Sequence, residues 1–182
     1  MPAIPISKKE HSSYKFKNLT HFLHFKNKGL IPFCMPELHK IVRNFPIVFT
    51  KKEKSVTLCF LASFIPNNNL FIDQKGKWLG TYVPAVFRSV PFGFFSPKKN
   101  EDKVLCYVDE FGCVLPKETC GNEFHYIFKK DGEFTEPFKK KVQFAHAYSE
   151  GTSETQKLCN KLNEEGLICE WPLKLKSKDG EN

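Results

Sequence analysis

Apolar residues occur in this sequence only in short runs, and the longest, Val56 to Ile65, is interrupted by Thr57 and Ser63. A helix that crosses a bilayer needs about 20 consecutive apolar residues, so no membrane insertion is expected. Such a chain must fold by packing many short elements together. Phe supplies much of the material, at 19 of 182 residues, within a hydrophobic fraction of 41%. That length and composition suit one globular domain with a sizeable core.

The N-terminal stretch MPAIPISKKEHSSYKFKNL is charged, without an apolar core or a small-residue cleavage site, so no secretory signal is expected. The seven cysteines (Cys34, Cys59, Cys106, Cys113, Cys120, Cys159 and Cys169) are odd in number and include no C-x-x-C pair. Reduced thiols in a cytoplasm are the simplest reading. Cys106, Cys113 and Cys120 recur every seven residues, which is not a metal-ligand spacing. The formal net charge of +8 is concentrated: residues 1–54 hold 11 basic and 3 acidic side chains, and the remainder is balanced. A basic third can attract nucleic acid, anionic lipid or an acidic protein. Lys dominates it, however, and Arg occurs only at Arg43 and Arg88. Specific nucleic-acid readers favour the Arg fork, so a solvated surface is preferred and nucleic acid is disfavoured as a partner.

Along the chain, residues 1–13 read as a flexible lead-in, 14–173 as one domain and 174–182 as a polar tail. The segment LTHFLHFK at 19–26 lacks a clean period and is assigned to a strand. Residues 36–45 read as a short helix: Pro36 and Glu37 suit its first turn, Leu38, Ile41, Val42 and Phe45 share a face, and Pro46 ends it. Ile47–Phe49 and Val56–Leu61 are near-continuous apolar runs, read as central strands buried on both faces. Residues 70–73 and 77–79 flank Gly76 as a short hairpin. Residues 82–91, with Pro84 and Pro91, fit a short helix or an irregular segment. Strands are expected at 104–108 and 124–128, with turns at Gly112 and Asp131-Gly132. Pro137 begins a segment with Phe138, Val142 and Ala145 on one face. Ser153, with Gln156 three residues on, marks a separate helix that Gly166 ends. Strands in the first two-thirds and helices in the last third imply an α+β fold with a mainly antiparallel sheet.

The chain carries no H-E-x-x-H, G-x-S-x-G, Walker loop or G-x-G-x-x-G, so no catalytic residue is assigned. His21 and His24 form the one close histidine pair. On a helix they could share a metal, but on a strand they point apart, and no carboxylate stands beside them. Neither a metal site nor a cofactor is expected. The densest group of unusual residues lies between Asn69 and Phe92. Asn69, Asp73, Trp78, Tyr82 and Arg88 combine polar-tipped aromatics with one Arg in a Lys-rich chain and form a candidate binding surface. The competing reading is structural: Asn and Gly make turns, Trp78 caps a core, and Arg88 pairs with a carboxylate.

Several ordered segments resemble the SapC family of bacterial proteins. They are GLIPFCMPEL at 29–38, FPIVF at 45–49, and the run N-L-F-x-D…G-x-W…Y-x-P-A…R…P-F from Asn69 to Phe92. DGE at 131–133 and GLI at 166–168 are weaker echoes, and the resemblance spans about residues 19 to 168. Against the family pattern, the chain is shortened between Phe92 and Asp131 and near its C-terminus. The resemblance implies a cytoplasmic accessory protein tied to bacterial surface-layer biogenesis or export. Its expected partner is a surface-layer protein or an exporter component. It brings no catalytic residues and no particular oligomeric state. The alternatives are an enzyme acting on a peptide or small molecule, metal-assisted through His21 and His24, and a nucleic-acid binder using residues 1–54.

Overall fold

The computed structural model describes residues 3–53, 55–96 and 102–172. The elements run β1 (Ile4–Pro5), α1 (Lys8–His11), β2 (Tyr14–Phe16), β3 (Leu30–Pro32), α2 (Leu38–Ile41), β4 (Ile47–Lys52) and β5 (Ser55–Leu61). They continue with α3 (Ala85–Ser89), β6 (Phe92–Phe95), β7 (Val104–Tyr107), β8 (Val114–Pro116), β9 (His125–Tyr126) and α4 (Glu136–Glu164). The strands form three small antiparallel sheets, ordered β1-β7-β6, β8-β2-β9 and β3-β5-β4. The α+β class with its antiparallel pairing is as the sequence implies.

Among the described residues, the buried side chains gather in two hydrophobic clusters. The larger gathers Ile31, Ile41, Val56, Phe60, Ile72, Trp78 and Phe87 around the β3-β5-β4 sheet. The smaller gathers Phe16, Phe92, Tyr107, Val114, Ile127 and Phe138 around the other two sheets. Helix α4, 29 residues long, spans about 43 Å at 1.5 Å per residue and ties the two together. Phe138 and Ala145 of its first half enter the smaller cluster, and Cys159 of its second half enters the larger. The region between them holds the candidate site.

Five expectations change. First, α4 is one continuous helix and not two. Gly151 lies inside it, where a Cβ would stand 3.3 Å from Pro36 Cγ and 3.5 Å from Cys34 Sγ. Close approach to that loop, not a helix end, explains this glycine. Gln156, three residues after Ser153, does not close a capping box; its Nε2 donates to Val56 O at 2.8 Å and to Asn160 Oδ1 at 2.9 Å. Second, residues 19–26 form no strand. Leu23–Phe25 is a 3-10 turn, and Phe22 N donates to Gly76 O at 2.8 Å. Third, only β5 is central; β4 is an edge strand with Phe49 exposed, since β3 occupies the far side of β5. Fourth, the short hairpin expected at 70–79 is present with Gly76 at the positive φ expected of it, 82°, but its arms are joined by one antiparallel bridge, Ile72 with Trp78, and not by paired strands. Fifth, residues 3–13 are built into the fold. Ile4 and Pro5 pair with Tyr107 and Cys106, and His11, 3% exposed, packs edge-on against Tyr14 and Tyr107. The polar tail at 174–182 lies outside the described residues.

Candidate functional site

The loop Phe33–Leu38 turns through a 3-10 segment, Met35–Glu37, before α2. Two features hold it against the middle of α4. Gly151 lets the backbones approach, and Thr155 Oγ1 accepts from Met35 N at 2.9 Å while donating to Gly151 O at 2.6 Å. The arrangement drives Glu37 inward, and only 5% of its surface is exposed.

A carboxylate so enclosed needs donors, and α3 and its approach supply them. Glu37 Oε2 accepts from Tyr82 OH at 2.8 Å and from Ala85 N at 2.8 Å. Glu37 Oε1 accepts from Cys34 N at 3.3 Å, with Cys34 Sγ at 3.7 Å. The Tyr82 hydroxyl in turn accepts from Arg88 Nη2 at 2.9 Å. Burial and the hydrogen bond to Glu37 raise the Tyr82 phenol to about 12, despite the opposing effect of Arg88. Burial first, then the Glu37 charge, raise the Cys34 thiol to about 11. At neutral pH both groups therefore keep their protons.

Arg88 is exposed at the end of α3. Its Nε donates to Val83 O at 3.0 Å, and the guanidinium lies 4.7 Å from the Phe144 ring centre and 5.5 Å from that of Tyr82. Aromatic faces on both sides attract and orient the cation. Two cavities meet at Arg88 and Phe144. One, about 180 Å³, is lined by Cys34, Pro36, Glu37, Lys40, Tyr82, Ala85, Ala147 and Tyr148. The other, about 330 Å³, is lined by Phe16, Asn18, His125, Pro137, Lys140 and Lys141. Together they form a groove between α3 and α4, with Glu37 and Lys40 at one end and Lys140 and Lys141 at the other.

Of the residues singled out from sequence, the structure brings Tyr82 and Arg88 together at this groove, and Asn69, Asp73 and Trp78 do not line it. Trp78, 7% exposed, stacks among Phe22, Phe45, Phe71 and Phe87, and its Nε1 donates to Tyr82 O at 2.9 Å. Trp78 therefore positions Tyr82 from the core side. Asn69 is fully enclosed; its Oδ1 accepts from Phe71 N at 3.0 Å and its Nδ2 donates to Phe25 O at 3.4 Å. Asp73 Oδ1 accepts from Lys75 N and Lys77 N, both at 2.8 Å, which organises the turn carrying Gly76 and holds its carboxyl below the usual range.

His21 is exposed and the His24 ring packs on Phe111 at 4.8 Å between ring centres. Among the described residues no group of three or more His, Cys, Asp or Glu is arranged to hold a metal ion. The lysines of the basic third reach several different partners: Lys8 the Asp131 carbonyl, Lys17 the Glu123 carboxylate, Lys15 the Tyr126 ring and Lys26 the carbonyls of Asn69 and Ile72. Among the described residues, no helix is long and apolar enough to cross a membrane.

Sequence reasoning missed Phe144, Lys141 and the enclosure of Glu37. Glu37 reads as an ordinary first-turn acid, Lys141 is the third of three consecutive lysines, and Phe144 looks like one more core aromatic. The one available signal was that Pro36-Glu37 and Tyr82…Arg88 both fall within segments resembling a single family.

A model of the SapC family matches residues 6–182, essentially the whole chain and more than the span of its recognisable motifs. No curated protein and no solved structure matches the chain.

Proposed function

The chain belongs to the SapC family, and on that premise we propose that it is a cytoplasmic accessory protein of bacterial surface-layer biogenesis or export. It acts by binding a protein partner, a surface-layer protein or an exporter component, through the groove between α3 and α4. One observation carries the binding role: Arg88 stands exposed between the Tyr82 and Phe144 rings where two cavities meet. Exposed Arg beside aromatic faces is the chemistry of interaction hot spots. The polar groups nearest to it favour binding over catalysis, because Glu37 is occupied by internal donors while Tyr82 and Cys34 hold their protons.

The test is affinity purification of the tagged chain from its native cells, beside Arg88→Ala, with co-purifying proteins identified by mass spectrometry. The reading expects a surface-layer protein or exporter component with the parent chain. It expects recovery to fall at least about tenfold with Arg88→Ala, in line with about 1.4 kcal/mol or more at a hot spot, while the thermal midpoint is kept. Recovery of the same partner at equal yield with the variant would refute the groove as the contact.

A further inference from the structure

The larger cavity at Arg88, about 330 Å³, is lined by the cations Lys140 and Lys141 of α4 and Arg88 of α3, with the imidazole of His125 from β9 beside them. Among the described residues, no carboxylate lines it. We propose that this cavity is an oxyanion site that takes the carboxylate of an acidic side chain or chain end of the protein partner. The proposal rests on the groove reading above and names the partner's recognition chemistry.

Lys141 is a half-buried part of the cavity wall. Its Nζ donates to Arg88 O at 2.5 Å and to Asn18 Oδ1 at 3.2 Å. An ammonium has three N–H donors, so one remains for a ligand. Both hydrogen-bond partners are neutral oxygens, the Phe92 ring lies 6.0 Å away, and among the described residues no carboxylate lines the cavity to balance the charge. Accordingly the Lys141 ammonium is held down at about 8, chiefly by burial, with Arg88 adding repulsion and the Cys113 thiol pulling the other way. The titratable and charged groups facing it are Arg88 from α3, Cys113 from the segment before β8, His125 from β9 and Lys140 on its own helix. A bound carboxylate supplies the missing counter-charge. The Arg88 N–H groups not used by Val83 and Tyr82 add the planar fork that carboxylates match.

The test follows the titration of the Lys141 side chain in the 182-residue chain by NMR of labelled lysine. It is run in chloride, in acetate and in inorganic phosphate at matched ionic strength. A tenfold preference of acetate for the ammonium form moves the Lys141 midpoint up by about one unit. The expected result is that shift in acetate, absent at exposed Lys9, and reduced in a folded Arg88→Gln variant. An unmoved midpoint in acetate overturns the proposal, as does movement in phosphate alone. A partner captured by a chain whose Lys141 ignores acetate removes the anion site and leaves the accessory role standing. An acetate response in a chain that captures no partner does the reverse.

Discussion

Removing the Glu37 carboxylate tests whether the 33–38 loop, Tyr82 and α3 are one cooperative unit. In Glu37→Ala the backbone N–H groups of Cys34 and Ala85, both in buried residues, lose their acceptor. The Tyr82 hydroxyl, half-buried and still bonded to Arg88, loses its own but can turn toward water. An orphaned buried donor costs about 1–3 kcal/mol, so two with restricted access to water cost roughly 3 kcal/mol together. Arg88 is exposed, so no cation is stranded in the interior and the larger penalty of a broken buried ion pair does not apply. For a domain of this size, roughly 3 kcal/mol lowers the thermal midpoint by about 6–12 °C. Glu37→Gln should lose about half as much. Its amide oxygen can serve Tyr82 and Ala85, but its NH2 then faces the Cys34 N–H. Urea unfolding at neutral pH measures both variants, with Glu133→Ala as the surface comparison. Glu133 pairs with Lys129 at 3.5 Å across an exposed surface, where such pairs contribute about 1 kcal/mol or less. A Glu37→Ala chain as stable as Glu133→Ala would refute the reasoning, since the buried donors would then have found other partners at no cost.

Two further predictions concern the same region. The phenol of Tyr82 titrates at about 12 in the fold against an ordinary 10.0. Its contribution to stability is therefore complete below pH 10 and lost as the pH rises through about 12. The stability difference between the parent chain and Tyr82→Phe should shrink across that window in alkaline urea titrations, and a difference flat with pH would contradict the raised phenol that burial and the Glu37 hydrogen bond together produce. At position 151, Ala gains about 0.5–1 kcal/mol of helix propensity against a 3.3 Å contact with the exposed Pro36 ring, and should stay within about 1 kcal/mol of the parent. Gly151→Val should lose about 1–3 kcal/mol by pushing the 33–38 loop off α4, read as a lowered urea midpoint; equal stability of the Val variant would disprove the close packing.

Much of the fold is legible locally. The apolar runs at 47–49 and 56–61, the helix-start chemistry of Pro36, and the turn signals at Gly76, Gly112 and Asp131-Gly132 all correspond to elements or positive-φ turns. These depend on interactions within a few residues. The failures have long-range causes. The Ser153–Gln156 pattern resembles a new helix start, yet tertiary packing runs the helix straight through it. The three-residue strands β2, β3 and β8 carry too little period to detect, and each exists because a distant partner supplies its hydrogen bonds. Residues 3–13 look detached because the pairing of Ile4 with Tyr107 closes over about a hundred residues.

The candidate site divides along the same line. Tyr82 and Arg88 are visible as unusual residue types near one another in sequence, and the family pattern singles out their segment. That Trp78 supports them from beneath, that Glu37 locks Tyr82 from 45 positions away, and that Lys141 and Phe144 complete the groove are decided only when α4 crosses between the two clusters. Sequence by itself determined the class of fold, the family and the segment of interest, because composition, turn chemistry and short motifs are local properties. The tertiary structure decided which side chains meet, because burial of a carboxylate and an ammonium depends on elements far apart in the chain.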